Sequence, residues 1–198
     1  MSSTARRPRI VGIGGTIRPG SSTERALAVA LKAAEAGGAE TQLLGGDFLA
    51  RLPIFNPSVA ETSAEQKALA EAVRTADGII VASPGYHGSI SGIVKNALDT
   101  LEALNKDARP YFTDRAVGCI ITADGWQAAG TALTTLRSVI HALRGWPTPY
   151  GAAFNASASS FGPDGQPVDP KDAWQLATVG EQVLEFARMR LAAAALPQ

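Results

Sequence analysis

The sequence predicts a doubly wound α/β domain, one parallel sheet of five strands with helices on both faces. Three observations carry this expectation. Short apolar runs alternate five times with longer segments whose apolar residues recur every three or four positions. Two of the runs, DGIIVAS at 77–83 and AVGCIIT at 116–122, are continuously apolar, as strands covered on both faces must be. No break in composition along the chain marks a second domain.

Residues 9–14 (RIVGIG) form a strand ending in glycine, and Ser22 or Thr23 caps the helix through ERALAVALKAAEAG. Ala26, Leu27, Ala30, Leu31 and Ala34 share one face of that helix, and Gly37 and Gly38 stop it. ETQLL at 40–44 is a second, short strand. The segment GDFLARLPIFNPSV reads as loop, because Pro53 and Pro57 forbid a regular helix through it. Thr62 or Ser63 caps the next helix, SAEQKALAEAVRTA, with Glu65 and Gln66 in its first turn. The third strand, 77–83, is ended by Pro84 and Gly85. Loop then runs to Ser91, the N-cap of a helix over 92–104. A strand at 116–122, a helix at 128–143 and a strand at 150–154 complete the alternation. The Ser-, Gly- and Pro-rich stretch 155–170 is loop, and a last helix opens at Pro170 or Lys171 and runs to about residue 195. Residues 1–8 read as a flexible N-terminus and 9–198 as a single domain.

The 18 basic and 18 acidic residues balance, which leaves no basic excess to neutralise nucleic-acid phosphates. No stretch reaches the roughly 20 apolar residues of a membrane span, and MSSTARRPR lacks the apolar centre of a signal peptide. The expectation is a cytoplasmic protein with neither nucleic acid nor membrane as a partner. The single cysteine, Cys119, cannot form an internal disulfide, and in VGCIIT it reads as a small buried hydrophobe. His141, in the helical LRSVIHAL, reads as packing or surface, and no histidine–carboxylate cluster has metal-ligand spacing.

Ligands of such sheets collect at the carboxyl ends of the strands, which directs attention to the loops after Gly14, Ser83 and Thr122. The first loop is GIGGTIRPGSST. It combines unpaired helix-start N–H groups with the hydroxyls of Thr16, Ser21, Ser22 and Thr23 and the cationic fork of Arg18, a set suited to phosphate oxygens. A nucleotide P-loop needs a lysine before the serine or threonine, and none is present. A GxGxxG fingerprint begun at Gly12 and Gly14 would need glycine where Ile17 stands. One arginine among hydroxyls fits a single terminal phosphate better than a pyrophosphate.

The second loop is SPGYHGSISGIVKNALD. After Pro84 and Gly85, Tyr86 and His87 lie at the sheet edge, where they can flank a planar ligand, and Gly88 and Ser89 allow close backbone approach. His87 has three readings: a surface hydrogen-bonding residue, a ring-flanking residue, or a general base. The last lacks an orienting carboxylate. Lys95 bonds either across an interface or to Asp99 one turn on.

These two segments together resemble the NAD(P)H-dependent FMN reductase family of flavodoxin-like proteins. The family's Gly-Ser-x-Arg start with downstream serines is matched by Gly15, Thr16, Ile17 and Arg18, then Ser21 and Thr23. Its Pro-x-Tyr, Ser-x-x-Gly and Lys-Asn-x-Leu-Asp pattern is matched by Pro84, Tyr86, Ser89, Gly92, Lys95, Asn96, Leu98 and Asp99 at the same spacing. The resemblance implies a flavodoxin-like three-layer sandwich with strand order 2-1-3-4-5, and FMN as cofactor. Thr16, Arg18, Ser21 and Thr23, with Ser22 beside them, would hold the phosphate, and Pro84, Gly85, Tyr86, His87, Gly88 and Ser89 would border the isoalloxazine. Thr122, Ala123, Asp124, Gly125 and Trp126 would touch the other edge of the ring. The chain departs from the family at Gly85 and His87, where glutamate and asparagine are common. It departs again at Asp124 and Trp126, in a loop that is commonly Gly-Gly.

The function implied is ping-pong hydride transfer from NADH or NADPH to FMN and on to free flavin, supplying a monooxygenase partner, by a homodimer or homotetramer. Two alternatives stand beside it: an FMN-dependent quinone, azo, nitro or chromate reductase, and a non-enzymatic FMN electron carrier or redox sensor. Balanced charge speaks against the carrier, which needs an acidic docking face.

Overall fold

In a computed structural model, which describes residues 6–59, 62–158 and 160–196, the chain runs β1 (Arg9–Gly14), α1 (Ser22–Ala36), β2 (Glu40–Leu44), α2 (Gly46–Leu49), α3 (Ala64–Thr75), β3 (Gly78–Tyr86), β4 (Ser89–Ile90) and α4 (Gly92–Thr100). It continues through a 3-10 turn (Leu101–Leu104) to β5 (Ala116–Ala123), α5 (Trp126–Ala142), β6 (Trp146–Pro147), β7 (Ala152–Asn155) and α6 (Pro170–Ala194). The parallel sheet has the order β2-β1-β3-β5, and two short strands in line fill the last position. β6 pairs with Ala116–Val117 and β7 with Ile120–Ala123. This is the expected 2-1-3-4-5 order with its fifth strand in two pieces. The break falls where Thr148 N still bonds the Val117 carbonyl but Tyr150 N turns to Gln182 Oε1 of α6 instead of β5.

Alternation along the strands sorts the core into two layers. Val11, Ile13, Val81, Cys119 and Ile121 face α3, α4 and α5. Ile10, Ile80, Ala82 and Ile120 face α1 and α6. The two helices of the second layer touch closely: a Cβ on Gly180 would lie 2.1 Å from the Ala30 carbonyl oxygen.

Several boundaries differ from the sequence reading. The N-cap of α1 is Ser21, whose hydroxyl accepts from Glu24 N at 3.3 Å, rather than Ser22 or Thr23. The segment read wholly as loop holds the short α2, whose Gly46 N–H donates to the Glu24 carboxylate of another helix. α5 begins at Trp126, two residues early. Ser63 caps α3 in a reciprocal capping box with Gln66, and Ser91 caps α4. Of the N-terminal segment read as flexible, residues 1–5 lie outside the described residues, whereas 6–8 are tied down. Arg6 pairs with Asp77 through two 2.7 Å bonds, Arg7 donates to the Gly38 and Ala39 carbonyls, and Pro8 accepts from Glu40 N. No helix among the described residues is long and apolar enough to cross a membrane.

Candidate functional site

Strand β1 ends on Gly14, paired with Ala82 of β3. A Cβ on Gly14 would lie 2.0 Å from the Ala82 carbonyl oxygen, so only glycine fits. Gly15, at φ 120°, then donates its N–H to that carbonyl, and the chain turns over the sheet edge toward Ser21. Thr16 holds the bend, its hydroxyl accepting from Arg18 N at 3.2 Å. Ser21 and Thr23 are buried, and the Thr23 and Thr122 hydroxyls share a 2.5 Å hydrogen bond that joins the start of α1 to the end of β5. Arg18 is exposed and enters no ion pair among the described residues.

Strand β3 runs on through Pro84 and Gly85 instead of stopping there, a correction with a clear cause. The Ala82 carbonyl faces β1, so Pro84, two residues later, faces the same side, where β1 has already turned away. A missing N–H costs nothing at such an edge. The strand then folds back through a hairpin in which Tyr86 pairs with Ser89. His87 (φ 52°) and Gly88 (φ 80°) both have positive φ, the requirement of a type I′ turn. Asn-Gly is the favoured sequence there, and histidine is among the few other residues that enter this region readily. The base of the hairpin is clamped by Ser83, whose hydroxyl accepts from Ser91 N at 2.9 Å.

Strand β5 delivers Thr122 and Ala123, both buried, and then the exposed Asp124. The turn after β7 closes on it. Asn155 Oδ1 accepts from Gly125 N and Ser157 N, both at 3.1 Å, Ala156 N donates to the Ala123 carbonyl, and the Ser157 hydroxyl donates to Asp124 Oδ1 at 3.1 Å.

The three loops enclose one cavity of about 500 Å³, within the range of small-molecule sites. Thr16, Ile17, Arg18, Ser21, Ser22 and Thr23 form one wall, Pro84 to His87 a second, and Thr122, Ala123 and Asp124 a third, with Ala128 and Ala156 between. Gly88, Ser89, Gly125 and Trp126 are not in the walls. Gly88 is at the hairpin tip near Thr131, Ser89 is in β4, and Gly125 and Trp126 open α5 with the indole exposed. Ile17, Ala128 and Ala156 were not singled out in the sequence. Ile17 lay in the loop without a polar group to draw attention, and Ala128 and Ala156 arrive only through tertiary contacts.

The cavity carries a cation on the α1 side and a carboxylate on the β5 side. A larger hollow of about 760 Å³ lies between the 53–66 segment and the end of α4, and among the described residues Glu102 is the only ionisable side chain in its walls. Lys95 bonds Asp99 at 2.6 Å on the exposed face of α4, and Asn96 pins the preceding loop by bonding Phe55 N and the Pro53 carbonyl. Cys119 is buried in mid-sheet, and burial pushes its thiol up to about 12, so it offers no thiolate near neutral pH. No group of metal-ligating side chains occurs among the described residues.

Comparison with known proteins gives this geometry a context. FMN-dependent NADPH-azoreductase of Staphylococcus aureus is 38% identical over 109 residues, 55% of this chain and 54% of that protein. The matched stretch spans about half the length of the curated relatives. Among solved structures, FerB, a flavoenzyme NAD(P)H:(acceptor) oxidoreductase from Paracoccus denitrificans, superposes with a TM-score of 0.72 at 23% identity, covering 92% of this chain and 98% of that one. A WrbA-like flavodoxin from Agrobacterium tumefaciens superposes at 0.61 and 16% identity, with coverage of 92% and 98%. At these identities the structures establish the fold, which is flavodoxin-like. The profile of the NADPH-dependent FMN reductase family matches residues 8–159, a span that takes in every strand of the sheet and all three loops, and on that match the chain belongs to this family.

Proposed function

We propose that this chain is an NAD(P)H-dependent flavin oxidoreductase that holds FMN in the 500 Å³ cavity and reduces a small planar acceptor, free flavin first among them. The observation that carries the reading is the joining of two unlike walls in one cavity. One is a nest of hydroxyls, a guanidinium and helix-start N–H groups; the other is a slot between the Tyr86 hairpin and Thr122–Asp124. The residues fit the group: Arg18, Thr16 and Ser22, with the N–H groups opening α1, suit its phosphate, while Pro84 to His87 and Thr122 to Asp124 suit the ring.

When bound, FMN supplies the two-electron chemistry, taking hydride from a reduced nicotinamide and passing it on. The chain's own residues bind and orient. Ser21 and Thr23, buried and hydrogen-bonded, keep the start of α1 in place. Tyr86, half exposed, and His87 form a wall on a hairpin that Ser83 holds rigid. Asp124, anchored by Ser157, sets a negative charge on the β5 side and disfavours anionic acceptors there. No histidine–carboxylate pair occurs among the described residues, so general acid–base catalysis is left to the ligands. The proposed order is ping-pong, with donor and acceptor using the same cavity in turn. The same reading takes the chain as a cytoplasmic homodimer or homotetramer that hands reduced flavin to a monooxygenase. The azoreductase match favours azo compounds as a second class of acceptor.

Anaerobic stopped-flow of the FMN-loaded protein tests this. NADH or NADPH should bleach the oxidised-flavin band near ~450 nm before any acceptor is added. Tight FMN binding without bleaching by either nucleotide would reject the reductase and favour an electron carrier.

A further inference from the structure

The amino-terminal end of the sheet, opposite the cavity just described, holds a second charged hollow of about 280 Å³. Three guanidiniums converge on it, those of Arg6, Arg109 and Arg190, against the two carboxylates of Asp77 and Asp114. Both carboxylates are already engaged. Asp77 accepts twice from Arg6 and once from Arg9 N, and Asp114 pairs with Arg190 at 2.8 Å. Arg109 enters no ion pair among the described residues, and its Nε is shut off from solvent with no acceptor. Native proteins seldom leave a buried donor of a charged group in that condition.

Arg115, close enough for its charge to be felt by Arg109, adds to the imbalance. It is fully buried, and its hydrogen bonds all go to carbonyls, those of Arg74, Ala76, Tyr111 and Thr113. Its positive charge is solvated by carbonyl dipoles without a direct ion pair, while Asp77, Asp114 and Asp107 favour it from a distance. Burial, then the neighbouring charge of Arg109, pulls its guanidinium down to about 10. Arg109, with no ion-pair partner among the described residues, is the cation of the hollow left to take an anion. On its α6 side the hollow is lined by Ala187, Leu191 and Ala194, which offer apolar surface to the rest of a ligand.

We infer that this hollow binds an oxyanion, a phosphate or a carboxylate carried on a small apolar body, with Arg109 as the principal donor and Arg6 and Arg190 at its rim. Arg109 is partly exposed and lines the hollow, so its terminal Nη groups, rather than the covered Nε, are the donors suited to two-point contact with such a group. The inference does not rest on the proposed redox function, because no residue of the FMN cavity takes part.

The test uses the full chain saturated with FMN, so that the nest at α1 is already filled. Inorganic phosphate is titrated at constant ionic strength and followed by calorimetry and thermal melting, with butanoate in a parallel titration. One saturable site is expected, and the tighter of the two anions identifies which oxyanion the hollow prefers. Arg109→Leu should weaken binding about tenfold. Arg109→Lys, which keeps the charge and loses the planar fork, should weaken it by a smaller factor and guards against a folding defect in the leucine variant. FMN content should stay stoichiometric in both. Absence of saturable binding of either anion by the native chain, or equal binding by native chain and Arg109→Lys, would overturn the inference.

Discussion

Glu24 Oε2, in the first turn of α1, accepts the backbone N–H of Gly46 at 2.7 Å and thereby caps α2 from a different helix. Gly46 in turn packs against the first loop, where a Cβ would lie 1.8 Å from the Thr16 carbonyl oxygen. The phosphate nest is thus held from behind by a carboxylate that need not touch the ligand. Glu24→Ala removes an N-cap to α2 and strands a partly buried N–H, at a cost of about 1–2 kcal/mol. It should also weaken FMN binding, measured by quenching of flavin fluorescence, while Glu24→Gln retains most of both. Native-like FMN affinity in the alanine variant would show that the first loop stands without this support.

The His87–Gly88 turn gives a second, local prediction. His87→Asn supplies the residue that type I′ turns favour and should leave stability unchanged or slightly raised. His87→Val forces a β-branched residue to φ 52° and should cost about 1–2 kcal/mol. Urea denaturation of both variants measures the difference. If FMN affinity follows turn stability across the pair, the histidine serves the hairpin; if asparagine is stable but binds FMN poorly, the imidazole itself contacts the ring.

Gly180 tests the packing of the second core layer. With a Cβ meeting the Ala30 carbonyl oxygen at 2.1 Å, Gly180→Ala must push α6 off α1, though alanine is the better helix former. Overpacking of this kind should cost about 1–3 kcal/mol and lower the melting temperature by several degrees. A variant as stable as the native chain would mean that α6 is free to shift at no cost.

What the sequence made legible was governed by local rules. The continuous apolar runs around Ile80 and Ile120 announced covered strands, and Ser63 with Gln66 announced a helix start. The first loop showed its hydroxyls and arginine directly. What escaped depended on contacts between distant residues. α2 exists with a cap from Glu24, more than 20 residues away. Pro84 looked like a strand end, yet the strand continues because β1 has already left that edge. Ala156 reaches the cavity because Asn155 bonds Gly125 across about 30 residues of sequence. Trp126 stands at the first position of α5 with its indole exposed, a helix start two residues earlier than the periodicity marks.

Cys119 yields a pH prediction whose sign follows from burial. An unperturbed thiol titrates at ~8.5, whereas burial holds this one up to about 12, so the folded state favours the neutral form. The contribution to stability is fully present below the unfolded value and is lost as pH rises from there through about 12, because the unfolded chain ionises first. Thiol reagents at about pH 8 should leave the native protein unmodified and label the one cysteine when denaturant is added. Cys119→Ala should show a shallower fall in urea midpoint between about pH 8 and pH 10 than the native chain, from a lower starting stability because a small cavity replaces the sulfur. Rapid labelling of the folded protein would instead place the thiol within reach of solvent, and the interior of β5 could not then be the closed layer on which the Thr122–Asp124 wall is built.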